Sequence, residues 1–406
     1  MYDKIKRLSD KYSKQMITLR RHLHQIPETG LLEFETKKSM AAQLKKIGLK
    51  VNTDVWRTSI VAMLEGQKQA PCVAIRSDMD ALPVTEKTGL FYASKNRGCM
   101  HACGHDAHMA MVWGAAKILT HFRSELPGYV KFLFQPSEEE PPGGAMPMIA
   151  AGALEKPKVH VIFGLHVDPT IPAGKVGLKK GPMMAKVDDF NLTVVGKSGH
   201  AARPHETVDA IIVASELVTA LQTISSRMVN PLDPVILTIG KMEGGTARNI
   251  IADHVTLFGT ARVLYDKLGE KIPGMIKRIA DGICKAHGAT YVLDYRVGYP
   301  VLANDPDIID IYEHVLTIMH GKKSVQIKNR PGMGAEDFAC YLQEVPGAMF
   351  LLGIRNKSIG ADKPWHHPEF KIDEKVIPIG ASLLAAATIE YFERNKLKIK
   401  IMENHY

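Results

Sequence analysis

Residues 101–108 read HACGHDAH, which puts three histidines, a cysteine and an aspartate within eight positions. Imidazole, thiolate and carboxylate are the side chains that bind Zn²⁺ and similar ions, yet the C-x₂-C and H-x₃₋₅-H frames of small structural zinc modules are missing. The cluster therefore needs ligands from elsewhere in the chain. Three stretches offer them: QPSEEE at 135–140, GLHV at 164–167 and PWHHPEF at 364–370. For any one of these residues a packed core role is as common as a ligand role, and it is their conjunction that points to metal chemistry. Adjacent Glu138 and Glu139 are the sharpest feature, because an unpaired carboxylate in a buried crevice is costly unless it binds a metal or finds a partner. One of the two can coordinate while the other serves as general base toward water. Successive side chains of extended backbone point to opposite faces, so the pair must sit in irregular chain just past a strand, which Pro136 and Pro141 accommodate.

The elements that must position these residues are legible from periodicity. Apolar residues recur at helical spacing over 3–24 and 33–48, with QIPETG breaking the pattern between them. Short apolar runs at 59–64, 72–78, 129–136 and 160–167 read as strands, and AHMAMVWGAAKILTHF, apolar nearly all round, reads as a buried helix. Strands alternating with helices predict an α/β layer architecture with a largely parallel or mixed sheet. Asp78 and Asp80 follow the run VAIRS, Glu138 and Glu139 follow FLFQPS, His166 is expected to end VIFGLH, and HACGH precedes a helix. Carboxyl ends of strands and helix N-termini line the ligand crevice of such sheets, so these clusters are expected to converge.

From about residue 187 to 297 the texture changes to strand, helix, two strands, helix, strand, the split βαβ order of a ferredoxin-like α+β domain. The α/β texture then resumes, with a helix at 305–319, the strand AMFLLGI and a closing helix VIPIGASLLAAATIEYFE. The expected organisation is a catalytic domain, 1–186 and 298–406, interrupted by an inserted domain, 187–297. A chain of 406 residues exceeds the roughly 250–300 at which single cores stop growing, which agrees with two domains.

Composition narrows the function classes. Hydrophobic residues at 45% and charged residues at 23% describe a soluble globular protein. The opening MYDKIKRLSDKYSKQ has no apolar core of a signal peptide, and no run approaches the roughly 18 apolar residues of a membrane span, so a cytoplasmic protein without a membrane partner is expected. Five scattered cysteines suit a reducing compartment better than a disulfide framework. The net charge of +9 is spread over helix faces and a basic tail, RNKLKIKIMENHY, with no patch of interleaved aromatics, which argues against nucleic acid.

Taken in order, DMDALP, HACGHDAH, QPSEE, GLHV, GKSGHAARPH, ARNIIAD with GTAR, GAEDF and WHHPEF resemble the metal-dependent N-acyl-amino-acid amidohydrolases. That group includes aminoacylases, hippurate hydrolases and auxin-conjugate hydrolases, and is related to dinuclear-metal carboxypeptidases. The resemblance runs from RRHLHQIPE to HPEF, nearly the whole chain. It implies two divalent ions per subunit, Zn²⁺ or Mn²⁺, with Co²⁺ or Ni²⁺ also compatible. Cys103 would bridge them, His105 and His166 would complete one, and Glu139 and His366 the other. Glu138 would be the general base, and Asp80 the carboxylate that orients the site. His200 is similar to the histidine that the inserted domain lends to a neighbouring subunit's active site. Asn249 and Arg262 match residues that hold the substrate carboxylate. The inserted domain would then act as lid and dimerisation unit of a homodimer or homotetramer.

The implied reaction is hydrolysis of an N-acyl-L-amino acid or short peptide, with a metallocarboxypeptidase or dipeptidase as the alternative on the same scaffold. A thiol enzyme using Cys103 as nucleophile, and a non-catalytic binding protein, are rivals from other classes. His108, one helical turn beyond His105, reads as packed or supporting, and His22, His24 and His205 as structural or surface residues. Cys72, Cys284 and Cys340 read as apolar packing. His367 competes with His366 as the ligand, and Glu140 leaves open which two of three glutamates act. Glu336 and Asp337 are read either as crevice-wall support or as helix caps.

Overall fold

The computed structural model describes residues 1–395, so all but the first two residues of the basic tail at 394–406 lie outside it. The chain forms two compact units, one comprising 1–181, 303–330 and 336 onward, the other 182–302 with 331–335. The expected boundaries at 186/187 and 297/298 fall a few residues inside the second unit, and the association of 331–335 with that unit carries no signal in the local pattern.

The first unit is built on an eight-stranded mixed sheet. Its strands in chain order begin with β1 (Lys50–Asn52), β2 (Ile60–Leu64), β3 (Cys72–Asp78), β4 (Tyr129–Gln135), β5 (Val159–Pro172) and β6 (Val176–Leu178), and end with Val325–Ile327 and Gly347–Arg355. The spatial order is β1, β2, β4, β3, β5, Gly347–Arg355, β6, Val325–Ile327. The four central strands, β4, β3, β5 and Gly347–Arg355, are mutually parallel, while β1 and β2 are antiparallel additions. Every residue of β3 is buried, as expected of a parallel strand covered on both faces, whereas β2 alternates buried and half-buried. The strand end expected at His166 is not where β5 stops. β5 runs six residues beyond His166, so that histidine sits within the strand and not at its end; the apolar run stops at Val167, but the ladder continues through DPTIP.

Helix α1 (Tyr2–His24) packs its Ile5, Tyr12, Met16, Leu19 and Leu23 stripe inward, and α2 (Phe34–Lys46) follows after the QIPETG break. Helix α3 (His105–Leu119) is buried on nearly every face, because α1 and the closing helix Ile377–Arg394 both lie against it. Glycine makes this three-helix contact possible: a Cβ on Gly114 would come within 2.2 Å of Met16 Sδ and 2.9 Å of Ala381 Cβ. The segment Glu374–Arg394 is long and apolar enough to cross a membrane, contrary to the reading that no run comes close. Its apolarity has a different cause, since 72% of its most apolar window is buried in the core of the first unit.

The second unit carries a four-stranded antiparallel sheet in the order Val235–Gly244, His254–Val263, Lys186–Val195, Thr290–Val297. With helix Ala210–Thr223 between Lys186–Val195 and Val235–Gly244, and helix Ile272–His287 between His254–Val263 and Thr290–Val297, this is the ferredoxin-like arrangement read from the sequence. Asp209 caps the first helix by accepting from Ile211 N, and Gly288, at φ 68°, ends the second. Both helices pack on the sheet in one core, with Leu217 and Ile276 from the helices and Leu192, Val194 and Leu257 from the strands.

Gly114→Val is expected to destabilise the first unit by about 1–3 kcal/mol, because Met16 can swing away but Ala381 Cβ cannot. Urea unfolding of the variant against the parent chain measures it, and an unchanged midpoint would show that the helices have room to part.

Candidate metal centre

Five segments of the first unit meet at one place, and each has a local reason for its path. β3 ends at Asp78, and the DMDALP turn that follows carries Asp80 inward. β4 ends at Gln135, after which Ser137 adopts a left-handed φ of 55°, the irregular step required to free Glu138 and Glu139 from strand alternation. Ser137 is held there from the N-terminal region. Its amide donates to Glu33 Oε1 at 3.0 Å, and Gly30 packs so closely on it that a Cβ would lie 2.7 Å from the serine Oγ. Gly104, at φ 94°, opens α3 so that Cys103 and His105 flank its first turn. His366 is also left-handed, at φ 65°, with its amide donating to Ala102 O at 2.9 Å. Next to it, Trp365 Nε1 donates to Val167 O at 3.0 Å, tying this loop to the segment of β5 that bears His166.

Cys103, His105, Glu138, Glu139, His166, His366 and Asp80 are brought together by this arrangement. Two three-residue donor sets, Cys103–His105–His166 and Cys103–Glu139–His366, each keep their ligand atoms within 4.8 Å of one another and share the cysteine. Cys103 Sγ lies 3.4 Å from His166 Nε2, and Glu139 Oε1 lies 3.8 Å from His105 Nε2 and 3.4 Å from His366 Nε2. The far nitrogens fix the rings: His105 Nδ1 donates to Asp80 O at 2.8 Å and His166 Nδ1 to Val167 O at 2.7 Å, leaving each Nε2 to face the sulfur and carboxylate. His105 Nε2 and Glu139 Oε1 are buried without a hydrogen-bond partner, the signature of atoms shaped to face an ion. These residues fit a pair of divalent cations. Asp80 braces the set, with Oδ2 accepting from Glu139 N at 3.0 Å and Oδ1 lying 3.3 Å from His105 Nδ1.

The charges agree. Burial, then Glu336, Glu139, Asp337 and Asp80, push the Glu138 carboxyl well above its ordinary range. Burial works against a charged His105, yet Asp78, Asp80 and Glu139 hold it up at about 10. Glu139 sits below its usual value despite burial, because His366 and His105 face it. Burial beside Glu139, Glu138 and Asp78 raises the Cys103 thiol well above its free value, which disfavours an unassisted thiolate nucleophile. A cation is what would make that sulfur an anion.

The competing candidates separate by geometry. His108 bridges Asp78 Oδ1 at 2.7 Å and Val167 N at 3.0 Å, using both ring nitrogens in hydrogen bonds, so it supports the site. His367 Nδ1 accepts from Glu369 N, while its neighbour His366 faces Glu139. Glu138 is buried, Glu139 half-buried and Glu140 exposed, which separates the three glutamates. Asp337 does not cap its own helix; it accepts from Gly144 N and Ala145 N at 3.1 and 3.0 Å, at the far end of the glutamate loop. His24 is buried between Asp106 and Glu86, and His205 is exposed. His200, Asn249 and Arg262 belong to the second unit. His200 is exposed on a two-residue strand paired with Ile250, Asn249 O accepts from Ala201 N at 3.1 Å, and Arg262 donates to Met333 O at 2.9 Å. Glu33 and Arg76 were missed by sequence reasoning, although a lone arginine inside the apolar run CVAIRSD is a visible signal.

Residues 74–390 match peptidase family M20/M25/M40. The chain belongs to this family. An N-acetyl-L-cysteine deacetylase of Bacillus subtilis is 42% identical, over 90% of this chain and 85% of that protein. Thermostable carboxypeptidase 1 of Saccharolobus solfataricus is 38% identical, over 93% and 95%. A solved structure of a dinuclear metal binding peptidase of the M20 family, also from Bacillus subtilis, superposes with a TM-score of 0.82 at 31% identity, covering 95% of this chain and 99% of that one. The M20 chain described here is thus a hydrolase of amide bonds with donor groups for metal ions.

Burial pushes the Glu33 carboxyl up to about 7, against the opposing hydrogen bonds from Thr58 and Ser137. A carboxyl raised from 4.5 on folding contributes stability that is fully present below that value and is lost as pH rises through about 7. Glu33→Gln removes this titration, so the decline in unfolding free energy across that window should flatten by on the order of 2–3 kcal/mol. Urea unfolding in chelator at stepped pH measures it, and parallel curves for parent and variant would contradict the assignment.

Proposed function

We propose that this chain hydrolyses the amide bond of N-acyl-L-amino acids, releasing a carboxylate and a free amino acid. The observation that carries this reading is the pair of donor sets that meet at Cys103, with Glu138 buried beside them. Cys103, His105 and His166 would hold one ion, and Cys103, Glu139 and His366 the other. One thiolate and three imidazoles suit Zn²⁺, and the carboxylate admits Mn²⁺. When bound, such a pair lowers the pKa of water and polarises the scissile carbonyl.

The residues of the chain supply the rest. Glu138, buried among its carboxylate neighbours, would take a proton from the attacking water and hold it for the leaving amine nitrogen. Asp80 keeps the His105 ring and the Glu139 backbone in place. His200, lent by the inserted domain of a neighbouring subunit, would donate to the developing oxyanion, and Asn249 and Arg262 would hold the substrate carboxylate, Arg262 through its planar fork. These three reside in the ferredoxin-like unit, which this reading makes the lid and the pairing surface of a homodimer or homotetramer. The five unpaired cysteines support a reducing, cytoplasmic setting.

The deacetylase relative supports an acyl amino acid as substrate, and the carboxypeptidase relative supports a peptide. A panel of N-acetyl and N-benzoyl amino acids against dipeptides decides between them. Elemental analysis is expected to find about two metal ions per chain, with turnover of acyl amino acids lost on chelation and regained with Zn²⁺ or Mn²⁺. Glu138→Gln should keep both ions while lowering kcat by about 10²–10⁴-fold; wild-type turnover in that variant would remove Glu138 from its role.

A further inference from the structure

Arg76 lies within the all-buried strand β3, 1% exposed, with all three nitrogens of its guanidinium engaged. Nε donates to Gln135 Oε1 at 2.9 Å, one terminal nitrogen to Asp78 Oδ2 at 2.9 Å, and the other to Asp337 Oδ1 at 2.7 Å while lying 3.1 Å from Glu336 Oε1. These acceptors come from the ends of β3 and β4 and from the GAEDF turn, three segments that converge on the candidate centre. Each leads one step further. Asp337 Oδ2 accepts from Gln135 Nε2 at 2.6 Å and from the amides of Gly144 and Ala145, which close the loop that carries Glu138 and Glu139. Asp78 Oδ1 accepts from His108 Nδ1, and His108 Nε2 accepts from Val167 N, the residue beside His166. Glu336, Asp337 and Glu138 place carboxylate oxygens within 4.8 Å of one another, a grouping whose mutual repulsion the guanidinium opposes.

We propose that Arg76 is a positioning residue that holds the two halves of the metal centre in register. Through Asp337 it fixes the turn bearing Glu138 and Glu139, and through Asp78 and His108 it fixes the stretch of β5 bearing His166. The role rests on the dinuclear reading above and adds to it a residue that touches neither ion nor substrate. A planar fork is required: four acceptors in three directions exceed what an ammonium on a flexible stem can bridge at once, so lysine keeps the charge and loses the geometry. Partners that orient ligands in this way change metal affinity or activity by about 10–100-fold when altered.

The experiment compares Arg76→Lys and Asp337→Asn with the parent protein in three readouts: thermal unfolding, Zn²⁺ binding to metal-free protein by competition with a chromophoric chelator, and kcat with KM on the best acyl amino acid. Arg76→Lys is expected to bind Zn²⁺ about 10–100-fold more weakly in its folded state and to lose kcat far more than it raises KM. Asp337→Asn, which keeps the volume and leaves Arg76 in place, is expected to weaken one of the two ions and spare the other, because only the Glu139 side hangs on it. A purely structural arginine would lower the melting temperature while the folded variant bound two ions with parental affinity and turned over at the parental rate, and that result overturns the proposal. Should Arg76→Lys fail to fold, the Asp337→Asn titration decides: one weakened ion supports the proposal, and two ions at parental affinity overturn it. A parent protein that binds no pair of ions overturns the dinuclear reading itself, and this proposal with it, a failure distinct from that of the variants.

Discussion

Buried negative charge is the constraint on which the rest of the first unit depends. Asp78, Asp80, Glu138, Glu336 and Asp337 are all buried beside the candidate centre, with Glu139 at their edge and the buried Arg76 guanidinium paired to Asp78, Glu336 and Asp337. Carboxylates so placed repel one another and are poorly solvated, so they shift toward protonation or demand a cation. Burial first, and then neighbouring carboxylates, displace Glu138 and the Cys103 thiol upward, whereas at His105 the carboxylates act against burial. On the proposed reading, divalent ions held by Cys103, the three histidines and Glu139 would offset this crowded negative charge. The interactions that hold the ligands in place and those that tune the chemistry therefore cannot be separated into different parts of the fold.

The scaffold meets this constraint by bringing charged segments together from covered strands. Parallel β4, β3 and β5 run their ends toward one edge, and α3 presents its first turn to the same edge. The helical layer that covers them packs closely because glycines sit at its contacts, Gly114 against Met16 and Ala381, and Gly380 against Met111. Two non-glycine residues, Ser137 and His366, take left-handed backbone beside the ligands, and neighbouring chain holds both, Glu33 and Gly30 the first and Ala102 the second. The N-terminal segment that separates α1 from α2 is thus part of the site's support, although it supplies no ligand.

Much of this was legible in the residues. The run VAIRSD, the apolar helix after HACGH and the change of texture near residue 187 correspond to β3, α3 and the second unit's sheet, because covered parallel strands and all-round buried helices leave strong apolar signals. The candidate ligands stood out because histidine, cysteine and paired glutamates are unusual together, while their assignment to two ions came from the resemblance to the amidohydrolases. What stayed hidden depends on contacts across long sequence separations. Nothing local distinguishes Glu33 from a surface glutamate, yet it bonds an amide 104 residues away. Arg76 was visible as a charge in an apolar strand, but its partner Asp337 lies 261 residues on. The continuation of β5 past His166 was missed because DPTIP has the composition of a loop, and the closing helix was undervalued as a span because its apolarity serves the core.

The central claim is that a single thiolate is shared by two ions. X-ray absorption of the protein loaded with one and then two equivalents of Zn²⁺ tests it most directly. The account predicts a sulfur neighbour at about 2.3 Å for both ions, with the sulfur signal lost from each in Cys103→Ser. Sulfur bound to one ion only, or to neither, would contradict it and leave the cysteine at the meeting point of the two donor sets without its assigned role.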